Sequence, residues 1–323
     1  MAGIYEGIRA ILLPFFSIPL SWFYDWTGSY VLAIFLLTLV IRLFLLPVSI
    51  KQQKNSAKQT RLNAKVNRIR QKYANNPQKA QQEIQELYQR EGFGAANMGC
   101  MPMMIQMIVM IGLYGVMYKP LSSVLRFSDE KITAIKSVMQ TALDAAAKNS
   151  KRGSVDMHEI NILKNYKDFT AELTEEIGAE SLNELAEFSE KFTFLGLDLS
   201  VTPDKGNFNA YWLIPILACA TALLSSIYLY LKQRKQNPEM AKNPAMGCMT
   251  LMSPLMSLIF TFMFPTGVGV YWIISNILSF VQQIGISIFY SPKKVIAQQM
   301  VDETVVRRSK ENTTKLRVEN EKK

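Results

Sequence analysis

Arg42 is the single charged residue in SYVLAIFLLTLVIRLFLLPV, the apolar run from Ser29 to Val48. A charged side chain inside such a run is costly in hydrocarbon, so its position marks a functional site by default. Arginine keeps its proton, so the chemistry on offer is a fixed cation that attracts carboxylates or polar chain, not proton transfer. Polar side chains recur in the other apolar runs: Gln106, Thr221, Ser225, Ser226, Ser253, Asn276, Gln282 and Gln283. Neither His nor Asp lies in any of these runs, so no Ser-His pair or paired-Asp site can be assembled there. The lone histidine, His158, lies in a charged segment, where a surface role is the default. Cys100, Cys219 and Cys248 all fall in apolar stretches. An odd number so placed is no disulfide framework and has no metal-ligand spacing; small buried hydrophobes is the plain reading. No GxxxxGK[ST] phosphate loop occurs. No enzyme activity, cofactor or metal is expected.

The elements that must hold these residues are membrane-spanning helices. Of the 323 residues, 49% are hydrophobic, yet the mean hydropathy is only +0.07 because apolar blocks alternate with charged ones. A span needs roughly 20 mainly apolar residues, and five stretches qualify: Ser29 to Val48, about Gly99 to Tyr118, about Phe208 to Leu231, about Met246 to Phe264 with Pro254 inside it, and about Gly267 to Tyr290. Only the Pro265–Gly267 tripeptide separates the last two, which permits a tight hairpin alone. The fold class expected is an all-α membrane protein.

Orientation follows from the Lys/Arg bias of short loops. Residues 51–96 carry ten Lys/Arg against three Asp/Glu, residues 232–247 four against one, and residues 291–323 nine against five. Residues 119–207 carry eleven against fifteen. Every positive segment falls on the cytoplasmic side if the N-terminus is outside and the C-terminus inside. The net charge of +10 is thus accounted for by topology and by anionic headgroups, and nucleic acid is not expected as a substrate. In that orientation Arg42 sits six residues before Val48, roughly 9 Å from the cytoplasmic end at 1.5 Å per residue. Gln106, Ser225, Ser253 and Gln282 fall at similar depth, with Thr221 and Asn276 deeper. Snorkelling of the arginine and backbone bonding by Ser and Thr account for parts of this stratum. A polar cavity through half the membrane, open below and sealed above, accounts for all of it.

The expected organisation is an interfacial N-terminal segment (1–28), a first span (29–50), a cytoplasmic helical hairpin (51–96), a second span (97–118), an external helical segment (119–207), the third to fifth spans (208–290) and a basic cytoplasmic tail (291–323). Pro14 and Pro19 interrupt the apolar run of the first segment and no convincing cleavage site follows; Trp22, Phe23, Tyr24 and Trp26 read as interfacial aromatics. In the hairpin, Leu62, Val66, Ile69 and Tyr73 repeat at 4-3-4 spacing, as do Ala80, Ile84, Leu87 and the polar Glu91. Asn76 is placed to cap the second helix, with Pro77 at its first position. Outside, Ile132, Ile135, Met139, Ala142 and Ala146 share a helical face; Met157, Ile160, Leu163 or Lys164, and Lys167 do so less cleanly. A later helix is expected over about Glu180 to Lys191.

Four stretches together carry a resemblance: TLVIRLFLLPVSIKQQK (Thr38 to Lys54), GCMPMMIQMIVMIGLY (Gly99 to Tyr114), FLGLDLS (Phe194 to Ser200) leading into WLIPILA (Trp212 to Ala218), and FPTGVGVYWIISNILSFVQQ (Phe264 to Gln283). In this order the chain resembles the YidC, Albino and mitochondrial oxidase-assembly insertases, in their five-span bacterial form. The resemblance implies a membrane-protein insertase and chaperone in a bacterial plasma membrane. Arg42 would then be the cation of a hydrophilic groove open to cytoplasm and lipid, with Gln106, Tyr271, Trp272 and Asn276 lining or holding it. Nascent membrane proteins are the partners implied, with the bilayer, and with a ribosome and a Sec-type translocon as candidates. The third span departs from the pattern: CATALLSS (Cys219 to Ser226) stands where many relatives carry a glutamine. The external segment is longer than in the Gram-positive-like form, and the large periplasmic domain of the Gram-negative form is absent. A polytopic transporter or channel is the alternative; it would need a pathway through both leaflets, and the outer halves of the runs are apolar and aromatic. The topology has a direct check. In a chain lacking its native cysteines, a cysteine at Ser154 should be labelled from outside and one at Ser56 should not; the reverse pattern overturns the orientation.

Overall fold

The computed structural model describes residues 2–92, 101–147, 158–236 and 244–321; the side chains at 2–11, 59–61, 64, 101–106, 142–147, 244–249, 292 and 316–321 lie outside the described residues. So do the expectations for the Gln106, Ala142, Ala146 and Cys248 side chains, and for Cys100 and Met157. The order is α1 (Ala2–Thr27), α2 (Tyr30–Phe44), α3 (Leu46–Lys72), α4 (Pro77–Arg90), α5 (Met101–Met117), α6 (Pro120–Ser123), α7 (Asp129–Ala147), α8 (Glu159–Asn165), α9 (Thr170–Lys191), strands β1 (Thr193–Phe194) and β2 (Leu197–Asp198), α10 (Leu213–Gln236), α11 (Pro244–Thr261), α12 (Thr266–Phe289) and α13 (Pro292–Glu321).

Among the described residues, two helices are long and apolar enough to cross a membrane, Ala210–Lys235 and Thr266–Phe289. A third is added if the pair Tyr30–Phe44 and Leu46–Lys58 counts as one span. Shorter apolar helices, Met107–Met117 and Thr250–Thr261, stand where the second and fourth spans are expected. The first span is not the uninterrupted helix expected over Ser29 to Val48. It breaks at Leu45 (φ −85°, ψ −1°), just before Pro47 in the first turn of α3. Proline brings no N–H to the carbonyl four residues back, and its ring crowds that carbonyl.

The described chain divides into two compact units. The first comprises Met1–Leu43, Met104–Leu231 and Asn243–Ser279. In it α1 buries Phe16 and Leu20, and a side chain at Gly112 of α5 would overlap the Phe16 ring. The opposite face of α1 exposes Phe15, Ile18, Trp22 and Trp26. Of the four expected interfacial aromatics, Phe23 and Tyr24 are instead half-buried, Tyr24 packing edge-on against Phe188 with centroids 5.3 Å apart. The helices α7, α8 and α9 bury Ile132, Ile135, Met139, Ile160, Leu163, Leu185 and Phe188 in the same core as Tyr30, Ile34 and Leu37 of α2. Between Leu163 and Lys164, it is Leu163 that faces inward and Lys164 that is exposed. The helix expected over about Glu180 to Lys191 is present as the second of two helical segments in α9, which meet at Gly178, where the backbone is not helical (φ 80°, ψ 155°). The carboxylate of Glu159, at 2% exposure, accepts the N–H (2.8 Å) and the O–H (2.9 Å) of Ser122, tying α8 to α6. Burial pushes this carboxyl above its ordinary range, against the pull of the Ser122 bonds.

The β-hairpin is not anticipated by the sequence reading. Thr193 pairs with Asp198 and Phe194 with Leu197, across a turn in which Leu195 (φ 52°) and Gly196 (φ 77°) both take positive φ. That is the two-residue turn whose twist matches the flanking strands. Two-residue strands are too short to show an alternating pattern. The chain leaving β2 then anchors the start of α12: Leu199 O accepts from Gly267 N at 2.9 Å, and Val201 O accepts from both Thr266 N (2.9 Å) and Thr266 Oγ1 (2.6 Å).

The second unit comprises Phe44–Met103, Lys232–Lys242 and Phe280–Lys323. Here α3 and α4 bury Leu62, Val66, Ala80 and Ile84. Asn76 Oδ1 accepts from Lys79 N at 3.1 Å, with Pro77 opening the helix. The polar end of the second repeat, Glu91, pairs with Lys65 at 2.7 Å. α13 also packs on α3, burying Val295.

Close approach at α12 has a measurable consequence. A Cβ at Gly269 would overlap Ile214 Cγ2 and lie 2.9 Å from Thr261 Cγ2. Gly269→Val should lower thermal stability in detergent by about 1–3 kcal/mol, the usual range for overpacking. Gly285→Ala, where no atom lies within 4 Å of the added carbon, should be neutral or mildly stabilising. Equal behaviour of the two would contradict the packing described.

Candidate functional site

Arg42 lies in the last turn of α2. Its guanidinium Nη2 donates to the carbonyl oxygen and to the hydroxyl of Ser275 on α12, each at 2.7 Å. Ser275 is buried, at 5% exposure, and Arg42 is half-buried. The next residue, Asn276, is turned about 100° around the helix and reaches α10 instead. Its Nδ2 donates to Ala218 O at 3.2 Å and to Thr221 Oγ1 at 3.3 Å. Consecutive residues of α12 thus bond two different helices within one unit, the first holding the cation and the second holding the helix. The sequence reading missed Ser275. Its signal is its place directly before Asn276, a polar pair in the middle of an apolar run.

The other expected residues are placed as follows. Thr221 Oγ1 donates to Leu217 O at 2.8 Å, and Ser225 Oγ to Thr221 O at 3.3 Å. Ser225 thereby satisfies its hydroxyl on its own helix, the ordinary behaviour of serine in a membrane helix. Ser253 is exposed on α11, beside the exposed Leu251, Met252, Leu255 and Met256. The backbone of Gln106 belongs to α5. In the second unit, Gln282 Nε2 donates to Ser49 Oγ at 3.3 Å, and Ser49 Oγ to Leu45 O at 3.1 Å. Ser49 is a second partner the sequence reading did not name. In the same unit Lys232 Nζ donates to Ser287 Oγ at 2.5 Å.

Tyr271 and Trp272 border an apolar cavity of about 320 Å³, with Met110, Leu113, Tyr114 and Phe264 among its other walls. Tyr271 is buried. Trp272 stacks on Phe260 at 5.7 Å with the rings 13° apart. On the cavity side this pair meets apolar surroundings, but Tyr271, one turn before Ser275 on the same helix face, also lies within electrostatic reach of Arg42; Ser275, Asn276 and Thr221 supply hydrogen-bonding partners. Among the described residues, no group of three or more His, Cys, Asp or Glu could hold a metal ion.

The family model described as the 60Kd inner membrane protein matches residues 22–293, most of the chain. The chain belongs to this family. All nine residues singled out as a groove lie inside the matched stretch, and most of the basic tail lies beyond it. Among relatives, the membrane protein insertase YidC of Clostridium perfringens is 27% identical over 267 residues, covering 83% of this chain and 82% of that protein. The membrane protein insertase YidC 1 of Listeria monocytogenes is 26% identical over 273 residues, covering 82% of this chain and 68% of that protein. A shorter match, 37% identical over 110 residues, is to the membrane protein insertase YidC of Aquifex aeolicus and spans 34% of this chain and 22% of that protein. With its long apolar helices, this family member is an all-α membrane protein.

The Asn276–Thr221 contact can be weighed directly. A double-mutant cycle with Asn276→Leu and Thr221→Val, read by unfolding in detergent, should give a coupling of about 0.6 kcal/mol, the average for interhelical hydrogen bonds in a membrane protein. Strict additivity would show that the two side chains do not stabilise one another.

Proposed function

We propose that this chain is a membrane protein insertase that receives nascent membrane proteins at a polar site around Arg42 and releases their apolar segments into the bilayer. The observation that carries this reading is a cation placed near the end of an apolar helix and held there by Ser275 of a second helix. Family membership and relatives named as insertases support it. A newly made chain must carry a hydrophilic segment across hydrocarbon while its apolar segment enters it. A wet half-cavity shortens that barrier, and a cation in a lowered dielectric attracts acidic or polar tails. The apolar segment then moves into lipid, driven by removal of its surface from water. No covalent step is required.

In this reading the chain has five spans, with its N-terminus outside and its C-terminus in the cytoplasm of a bacterium. Arg42, Gln106, Thr221, Ser225, Ser253, Tyr271, Trp272, Asn276 and Gln282 form or border the groove. Residues 1–28 lie along the interface, the hairpin over 51–96 receives substrates, and the basic tail meets the ribosome; a Sec-type translocon works beside it. The exposed apolar stripe Phe15, Ile18, Trp22 and Trp26 supports the first of these placements. The apolar lining of the cavity beside Tyr271 and Trp272 favours an insertase over a channel, which needs a polar path through both leaflets.

Arg42 provides the test. Insertion is measured for a model substrate with zero, one or two acidic residues in its translocated tail, at matched levels of each variant. Arg42→Lys should largely preserve insertion, because attraction to a carboxylate needs charge more than a planar fork. Arg42→Ala should spare the neutral tail and lose progressively more as tail charge rises. An equal loss across the series would assign Arg42 a structural role and defeat the groove.

A further inference from the structure

We propose that Ser275 is the positioning residue for Arg42 and sets the charge selectivity of the site; the inference rests on the groove reading given above. Its basis is the pair of 2.7 Å bonds from one guanidinium nitrogen to two atoms of the same residue. The carbonyl belongs to the middle of α12 and would be there whatever the side chain. The hydroxyl is specific to serine or threonine. Bonded to both, the guanidinium is fixed in direction as well as place, on a helix that Asn276 ties to α10 through Ala218 and Thr221.

The chemistry of these acceptors matters as much as their geometry. Both are uncharged, so Ser275 holds the cation without cancelling its field. A carboxylate at position 275 would hold it more tightly and neutralise it. The Arg42–Ser275 bonds are charge-assisted through the guanidinium alone, whereas a carboxylate partner is ionised too and matches the guanidinium fork with two parallel bonds. Because a carboxylate brings a full opposite charge and can accept two parallel N–H bonds, an incoming acidic tail can displace the serine hydroxyl, whereas it would have to compete on equal terms with a resident carboxylate. The substrate class favoured is a polypeptide whose translocated segment carries Asp or Glu. Ser275 acts through Arg42 in this scheme and makes no contact of its own with the tail.

The experiment uses the full chain in proteoliposomes and the same substrates with zero, one or two acidic residues in the tail, comparing Arg42→Ala, Ser275→Ala, Ser275→Thr and Ser275→Asp at matched protein levels. Ser275→Ala should lower insertion of the two-charge substrate about threefold, the size of an average interhelical hydrogen bond in a membrane, and leave the neutral substrate unchanged. Ser275→Thr keeps the hydroxyl and should restore the wild-type profile. Ser275→Asp should flatten the response to tail charge as Arg42→Ala does. If Ser275→Asp fails to accumulate, the Ala and Thr variants decide. Wild-type insertion of every substrate by Ser275→Ala overturns the proposal, and so does a loss that is equal across the tail series. If Arg42→Ala itself shows no dependence on tail charge, the groove reading fails and this inference fails with it. A graded loss for Arg42→Ala with an ungraded one for the Ser275 variants rejects the positioning role alone.

Discussion

A charge placed among apolar helices is the constraint around which the first unit is organised. The guanidinium of Arg42 cannot be left to hydrocarbon, because an uncompensated ion there is costly. Ser275 supplies two acceptors, which requires α12 to lie against α2 at one rotation and one height. Asn276 then meets α10, so a single pair of adjacent residues sets α12 against two neighbours. The start of the same helix is pinned from the other side by the backbone carbonyls of Leu199 and Val201. Small residues complete the arrangement: at Gly269 the packing of Ile214 and Thr261 leaves no space for a side chain. Close packing and hydrogen bonds, not burial of apolar surface alone, hold helices together where the surroundings are themselves apolar.

This arrangement brings two kinds of surface together on α12. Ser275 and Asn276 are engaged in polar bonds, while Tyr271 and Trp272, a turn earlier, border an apolar cavity, with Tyr271 also within electrostatic reach of Arg42. An insertase needs both kinds, since its substrate is amphipathic: a polar tail must be accommodated while an apolar segment is passed to lipid. The helical segment between α5 and α10 contributes to the same core as Tyr30 and Ile34 of α2. The buried Glu159 carboxylate, bonded to Ser122, ties that segment to the end of α5 through α6. The segment is thus part of the unit that carries the candidate site.

Much of this was legible in the chain itself. Arg42 stands out because a lone charge in an apolar run is rare, and its importance needs no structure to be argued. The ordered motifs carried the family, which the match over residues 22–293 bears out. Local rules held where the local chain decides: Asn76 accepts from Lys79 N with Pro77 opening the helix, because a capping side chain and a fixed φ act within one turn. Ile132, Ile135 and Met139 are buried together because helical periodicity alone puts them on one face.

Other features depended on partners distant in sequence. Depth along a helix could rank polar residues but not say which way they point, so Asn276 and Thr221 meet while Ser225 turns to its own backbone and Ser253 faces outward. Ser275 escaped notice because serine in a membrane helix usually serves its own helix; only the approach of α2, 233 residues away in sequence, gives its hydroxyl a cation to hold. The break at Leu45 was hidden by the hydropathy that runs unbroken across it, since hydropathy is blind to the missing N–H of Pro47. The hairpin of Thr193 to Asp198 has strands too short to leave a period, and its turn holds both Leu195 and Gly196 at positive φ, which glycine adopts freely and leucine only at a cost that the local sequence does not announce. What the sequence by itself determined was which segments are apolar, how charge is shared among their flanks and where a charge is out of place, because those follow from composition and local geometry. Which side chain answers that charge was decided only by the tertiary structure, because a hydrogen bond between helices requires a rotation and a height that no single helix specifies.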